Sequence, residues 1–485
     1  MRDNPKDIRN AIAARWPTSD DFYRERDDRT LRESPELTAY AGRPVEILIS
    51  LSSAESPATQ QAALVACNLA ARWARNITVV MPNGTRILSD LNRRSYTYLA
   101  ERIITEMHGA DPFGRYRIVA SESYLGAGEA LRLFIGNWDL DTGRIRIQDD
   151  DFLVASTGEY AVGRRGQPFS PSEEQPAFAP ASALAASLGV ADLFKRAIGH
   201  PKEHWVATFN WNLIDQSLRE KIGPSIGRFT NMPDIGKVLL AGVGAIGSSL
   251  AYMLDLAGAT GKVALLDRDR VEASNLNRSL IFDVAHVLAN ATKTELTEEF
   301  LRSSRLSVDR LDGTWRENSA TIAASNYDVW LSFTNEDGAW AQLPFQLPPV
   351  VIQGTTTSGW GFGAGRHIPR KEDCTLCRMP RPRAEFRGPC AEGDIAPVEP
   401  DTPIRASLPF LSAASAALVF AELLKLALPE MQRVPNEISG DLKTELAAVT
   451  SIRRLANPSC PGCRVVQSDL WQKRGGRGRF SDLSA

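Results

Sequence analysis

The sequence is short of cysteine, of net charge and of uninterrupted apolar runs, and each shortage excludes something. Six cysteines in 485 residues cannot staple a disulfide scaffold. A formal net charge of −2 gives no long-range field to gather nucleic acid or an anionic membrane surface, so neither is expected as a partner. The longest apolar stretch, residues 408–428, is broken by Ser412, Ser415, Glu422 and Lys425, which argues against a membrane-spanning helix. The opening Met1-Arg2-Asp3-Asn4-Pro5-Lys6-Asp7 is too polar for a signal peptide, so a reducing cytoplasmic location is expected. What is there is a globular composition, 43% apolar and 24% charged, long enough for two or three domains with cores of their own.

The second half carries the clearer pattern. Residues 237–241 (KVLLA) read as a buried parallel strand, followed by Gly242-Val243-Gly244-Ala245-Ile246-Gly247, a helical spacing over 248–256, and a strand over 262–266 that ends in Asp267. This is a βαβ unit with a glycine-rich first turn. Glycines let a phosphate reach the helix N-terminus, and an acid closing the second strand, as Asp267 does, suits ribose hydroxyls. Taken alone, such a loop would indicate NAD or FAD. The first half repeats the outline with a strand over 45–49, a helical stretch over 60–75 and a strand over 77–81. Its turn, residues 50–56 (SLSSAES), has no glycine, and Glu55 would repel a phosphate. Ala191-Asp192-Leu193-Phe194-Lys195 and Ala421-Glu422-Leu423-Leu424-Lys425 close two alanine-rich helical runs in the same way. Together these repeats predict an α/β chain made of two Rossmann-like units, joined near residues 221–227. Residues 167–180 form a proline-rich loop inside the first unit.

The residues after Asp267 narrow the choice. Residues 265–278 (LLDRDRVEASNLNR) resemble the D-x-D-x-V-x-x-S-N-L-x-R signature of the ThiF/MoeB/HesA family, which includes the ubiquitin-activating E1 enzymes. The resemblance runs from Lys237 to Cys463, most of the second half of the chain. It implies an E1-like enzyme that uses ATP and Mg²⁺ to adenylate the C-terminal glycine carboxylate of a ubiquitin-like or sulfur-carrier protein. It implies that Gly242, Gly244, Ala245, Ile246 and Gly247 line the nucleotide, Asp267 and Asp269 lie at the ribose side, and Asn275 stays near the phosphates. Arg278 would bind phosphate oxygens, and Lys293 matches the family lysine with a slightly longer spacer. Two fixed cations suit a reaction in which negative charge builds on the α-phosphate. One departure stands out: the family's T-D-N is here Thr334-Asn335-Glu336, so Asn335 occupies the place of the Mg²⁺-binding aspartate. An amide is a poorer ligand for Mg²⁺ than a carboxylate. Glu336 or Asp337 could supply the charge, or ATP could hold the metal, or activity could be reduced.

Five of the six cysteines lie late in the chain. Cys374-x-x-Cys377 and Cys460-x-x-Cys463, two pairs set far apart, give the four thiolates of a closed structural Zn²⁺ site, and the spacing fits the same family. Cys390, shortly after Cys377, falls where the family carries its thioester-forming cysteine, with Arg387 nearby to favour the thiolate. Cys67 sits in an apolar helical run and reads as buried and structural.

The fold expected from the resemblance is therefore two Rossmann-like E1 adenylation-type domains with a four-cysteine zinc site. Residues 1–225 would be the degenerate domain, 230–470 the active domain and 471–485 a flexible basic tail. The two domains would form an internal pseudo-dimer, with further oligomerisation left open. The expected partners are a ubiquitin-like protein with a C-terminal glycine and an E2-like conjugating protein. The arrangement looks like the BilD-type E1 proteins of bacterial ubiquitin-like conjugation operons, associated with defence against phage. Sulfur-carrier activation in cofactor biosynthesis and a weakened pseudo-E1 scaffold remain as alternatives. Which first-half residues reach ATP is open among Arg24, Arg26 and Arg29.

Overall fold

The computed structural model describes residues 5–88, 91, 96–126, 128–138, 145–171, 175–225, 233–334, 339–357, 359–378, 408–428, 434–445, 449–474 and 478–484. The first half builds eight strands: β1 (Val45–Ile49), β2 (Asn76–Met81), β3 (Arg115–Ala120), β4 (Leu131–Ile135), β5 (Phe152–Thr157), β6 (Tyr160–Arg165), β7 (Phe209–Asn212) and β8 (Ser217–Leu218). The second half builds eight more: β9 (Asp234–Ala241), β10 (Thr260–Asp267), β11 (Arg305–Asp312), β12 (Val329–Ser332), β13 (Val350–Thr356), β14 (Gly361–His367), β15 (Glu437–Asp441) and β16 (Val449–Ile452). The two sheets have the same order, β3-β2-β1-β4-β5-β6-β7-β8 and β11-β10-β9-β12-β13-β14-β15-β16. In each, the first five positions pair in parallel and the last three strands join antiparallel. These are two mixed Rossmann-like sheets built on one plan.

The central strands are apolar runs because both sheet faces are covered. All residues of β1 and β12 are buried. Each half sends a helix from its first strand back across the sheet, Pro57–Ala71 in one and Ala245–Leu256 in the other. The helical stretch anticipated over 60–75 begins earlier, because Ser56 caps Thr59 N–H and Pro57 takes the first turn, where no amide is needed. Each half also has a long alanine-rich helix after its sixth strand, Ala179–Ala197 and Pro409–Lys425. These two helices pack on each other and on the helices that follow β1 and β9. Small side chains let the backbones approach, and one apolar cluster runs through both halves. Phe194 meets Trp360 and Phe410 across this seam at ring separations of 5.8 and 5.4 Å.

The matching helix ends form a reciprocal clasp. Lys195 donates to the Thr444 carbonyl of the second half, and Lys425 donates to the Ile214 carbonyl of the first at 3.2 Å. Burial pulls both ammonium pKa values down to about 8. Asp192 pairs with Arg165 of β6, and Glu422 pairs with Arg366 of β14, so each helix is tied to its own sheet by the same kind of ion pair.

Two expectations need correction. The tail does not run free in solvent: Arg479 pairs with Asp234 at 2.7 Å, and Phe480 and Leu483 pack on the core. Apolar side chains at these two positions hold residues 478–484 against the second half. Arg26, a candidate for reaching ATP, is fully buried between Asp27 and Asp111 at 2.6 and 2.7 Å and is committed to holding the first half together. Among the described residues, no helix is long and apolar enough to cross a membrane.

Candidate active site

The glycine turn lies at the C-terminal end of β9, where β10 and β12 flank it, the usual ligand position in a parallel sheet. Its three glycines do three different things. Gly242 has φ +93°, and a Cβ there would meet the Phe333 carbonyl carbon at 2.7 Å. At Gly247 a Cβ would lie 2.1 Å from the Gly242 oxygen, so that residue lets the helix Ala245–Leu256 start close to the strand. Around Gly244 a Cβ would meet nothing within 4 Å. The open side of the turn therefore faces free space at the N-terminus of a helix, where backbone N–H groups attract a phosphate.

Asp267 closes the other wall. Its carboxylate accepts the Val243 N–H at 2.7 Å and the Asp269 N–H at 2.9 Å, which fixes it to the glycine turn. Burial raises its pKa, while Lys293 and these two amides oppose that rise. Lys293 is buried and pairs with Asp269 at 2.7 Å; its own N–H bonds the Asp269 carbonyl at 3.0 Å. Asp269 and Lys293 thus act as one unit beside Asp267. The sequence did not single out Asp312, which ends β11 in register with Asp267 and accepts from Thr294 at 2.5 Å. An acid closing the third parallel strand was the available signal.

Arg278 is 6% exposed, with Nη1 donating to the Ser274 carbonyl and to Asn277 Oδ1. Burial lowers its pKa well below the ordinary value, and the neighbouring Arg29 charge lowers it further. Of the three arginines considered, Arg29 is the one at the site; Arg24 is largely exposed and faces Asp21. Asn275 is buried in the loop before Arg278. Its Oδ1 accepts the Glu272 N–H at 3.0 Å and shapes the loop that carries Arg278. Ala245 opens the helix and Ile246 is buried beneath it. Asn335, Glu336, Asp337 and Cys390 lie outside the described residues.

The four late cysteines converge. Their Sγ atoms all lie within 4.8 Å of one another, with separations of 3.9 Å for Cys374–Cys377, 3.7 Å for Cys374–Cys460 and 3.4 Å for Cys377–Cys463. Tetrahedral Zn²⁺ with Zn–S bonds of about 2.3 Å requires S···S separations of about 3.8 Å, so the quartet fits that ion. Cys67 is buried in the helix Pro57–Ala71, and burial pushes its thiol pKa up, which leaves it unreactive.

The chain has partial similarities to known proteins. Among solved structures, the chain is similar to E. coli MccB bound to AMPCPP and selenomethionyl MccA, with 18% identity and a TM-score of 0.37 over 47% of this chain and 66% of that one. For E. coli MccB with ATP the values are 18%, 0.37, 47% and 67%. For the microcin C7 biosynthetic enzyme MccB in complex with N-formylated MccA they are 13%, 0.39, 65% and 99%. The alignment thus spans just under two thirds of the first of these chains. No curated protein matches the sequence. Residues 234–462, in the second half of the chain, match the ThiF family model.

Proposed function

We propose that the chain is an E1-type activating enzyme, which adenylates the C-terminal carboxylate of a ubiquitin-like protein at the glycine turn of its second half. The observation that carries this reading is the open cradle at Gly244, walled by Asp267 and accompanied by two buried cations, Arg278 and Lys293, within a ThiF family domain. In this reading the N-terminus of the helix Ala245–Leu256 holds the phosphates, and Asp267 accepts from the ribose hydroxyls. Arg278 and Lys293 stabilise the charge that grows on the α-phosphate as a carboxylate oxygen bonds to phosphorus and pyrophosphate leaves. Magnesium, when bound to the triphosphate, lowers the charge repulsion around the attacked phosphorus.

The second step belongs to Cys390, whose sulfur would bond to the acyl carbon of the adenylate as AMP leaves, giving a thioester for an E2-like partner. Its position between the first cysteine pair and the helix Pro409–Lys425 supports this role. Zinc on Cys374, Cys377, Cys460 and Cys463 would tie the C-terminal segment to the domain. The setting favoured by the family resemblance is a bacterial ubiquitin-like conjugation system of the antiphage type. The test is ATP–pyrophosphate exchange that depends on a ubiquitin-like protein. Exchange supports activation; binding of that protein without exchange supports the scaffold reading that Asn335 raises. A thiol-sensitive adduct that Cys390→Ala removes while exchange persists would assign the second step.

A further inference from the structure

We propose that Arg72, in the half that lacks a glycine turn, is a positioning residue for Arg278: it fixes the 276–282 loop from across the seam. Arg72 follows the helix Pro57–Ala71 as its cap and is 2% exposed. Its Nη1 donates to the carbonyls of Leu276 and Phe282, each at 2.8 Å, and its Nη2 donates to the Leu280 carbonyl at 3.0 Å. Asn68 holds Nε at 3.0 Å and itself donates to Leu280 at 3.1 Å. A planar guanidinium thus reads three carbonyls of a single loop in the other half.

The loop it reads carries Arg278. Between the clamped residues, Asn277 is fully buried and works in two directions: Nδ2 donates to Thr30 of the first half at 2.8 Å, and Oδ1 accepts from Arg278 at 3.0 Å. Thr30, Asn277 and Arg278 therefore form a chain of contacts that crosses the seam. Arg278 is buried beside the like charge of Arg29. Neighbouring like charges repel, and a held backbone opposes that repulsion. The acceptors of the Arg72 fork are carbonyls and an amide; burial lowers its pKa to about 10, and the nearby Asp283 and Glu106 charges offset part of that cost. Helix packing alone would need only an apolar side chain at this place. The degenerate half supplies the mould in which the active half's arginine is set.

The chemistry in this inference rests on the adenylation reading, but the clamp can be measured without it. Deuterium uptake over residues 274–282 of the full chain is expected to be slow in the wild type, to rise about tenfold or more in Arg72→Ala, and to fall again when guanidinium is added. Unchanged uptake in Arg72→Ala overturns the proposal. In pyrophosphate exchange, Arg72→Ala is expected to lower kcat by about tenfold with KM for ATP changed by less than about threefold, and guanidinium is expected to restore part of kcat. Arg72→Lys keeps the charge without the fork and is expected to resist that rescue. Equal loss of kcat and folded fraction, with no rescue, would overturn it. Should Arg72→Ala fail to fold, Arg72→Lys, measured in the same way, removes the fork while keeping the charge. The effect of Arg72→Lys on kcat should vanish in an Arg278→Lys background, whereas an effect of equal size in both backgrounds contradicts the proposal. A wild type with a protected loop and no exchange would sink the adenylation reading alone.

Discussion

The two strand-to-helix turns of this molecule stand at the same point of the same topology and are filled in opposite ways. In the second half the turn around Gly244 is open, and the Asp267 carboxylate anchors it through the Val243 N–H. The first-half turn is laced by its own hydroxyls, beside a small pocket lined by Ser56, Thr59, Gly136 and Asn137. Ser50 donates to the Asn137 carbonyl, Ser53 accepts the Asn137 N–H at 2.9 Å and the Thr59 hydroxyl at 3.0 Å, and Ser56 takes the Thr59 N–H. Ser56 thus caps one amide of this helix N-terminus from within the turn. Following the strand pairing outward from Val45 and Val238 places Met81 opposite the position of Asp267 and Ala120 opposite that of Asp312. The same alignment superposes Arg165 on Arg366. The scaffold and its ion pairs match, while the groups that would hold a nucleotide are present in one half. What separates the halves is a few side chains at strand ends.

The comparison can be broken most sharply at the turns. A Cβ at Gly244 meets nothing within 4 Å, so the side chain of Gly244→Leu should enter the cradle: pyrophosphate exchange should fall by about 100-fold or more while the melting temperature stays within a few degrees. Ser53→Gly in the first half should leave exchange near the wild-type rate. Equal losses from both variants would mean that the two turns share the work. The cysteine quartet distinguishes the halves in a second way, since all four thiols belong to the second. One zinc per chain should appear by elemental analysis, and Cys460→Ser should lower stability by several kcal/mol, read as a loss of metal and a lower melting temperature.

The seam offers a smaller effect with a defined sign. The pKa of Lys195 is depressed by burial to about 8 from an ordinary value near 10.5. The folded protein therefore binds fewer protons than the unfolded chain between those values, and this group's contribution to stability improves as pH rises from about 8 to 10.5. Below pH 8 its full burial cost is present. Lys195→Met removes that slope, so the stability difference between variant and wild type should drift by about 1 kcal/mol per pH unit over the window, in favour of the wild type. A difference that is flat with pH would show that the ammonium is not desolvated. Smallest of all, Cys67→Ala should cost about 1 kcal/mol for the small cavity and leave exchange untouched.

Much of this was legible in the sequence because it is local. The βαβ unit at Gly242, the acid at Asp267 and the two cysteine pairs are set by spacing along a few residues, and the alanine-rich helices declared the repeat through their closing Asp-x-x-Lys and Glu-x-x-Lys ends. The rest is long-range. Arg72 closes an ordinary apolar helix, and its acceptors lie in the other half of the chain as bare carbonyls, which have no sequence signature. Arg26 and Arg29 stand three residues apart, at the end of one short helix and the start of the next, and only packing decides that the first is buried in ion pairs while the second stands by Arg278. Asn275 matched its motif, yet its side chain shapes the loop, a role that a motif does not distinguish from ligand contact.

The most direct test of the account is the number of nucleotides bound per chain, measured by calorimetry with a non-hydrolysable ATP analogue and magnesium. One per chain is predicted, lost in Gly244→Leu and kept in Ser53→Gly. Two per chain, or one that survives Gly244→Leu, would contradict the assignment of the nucleotide to the second half alone.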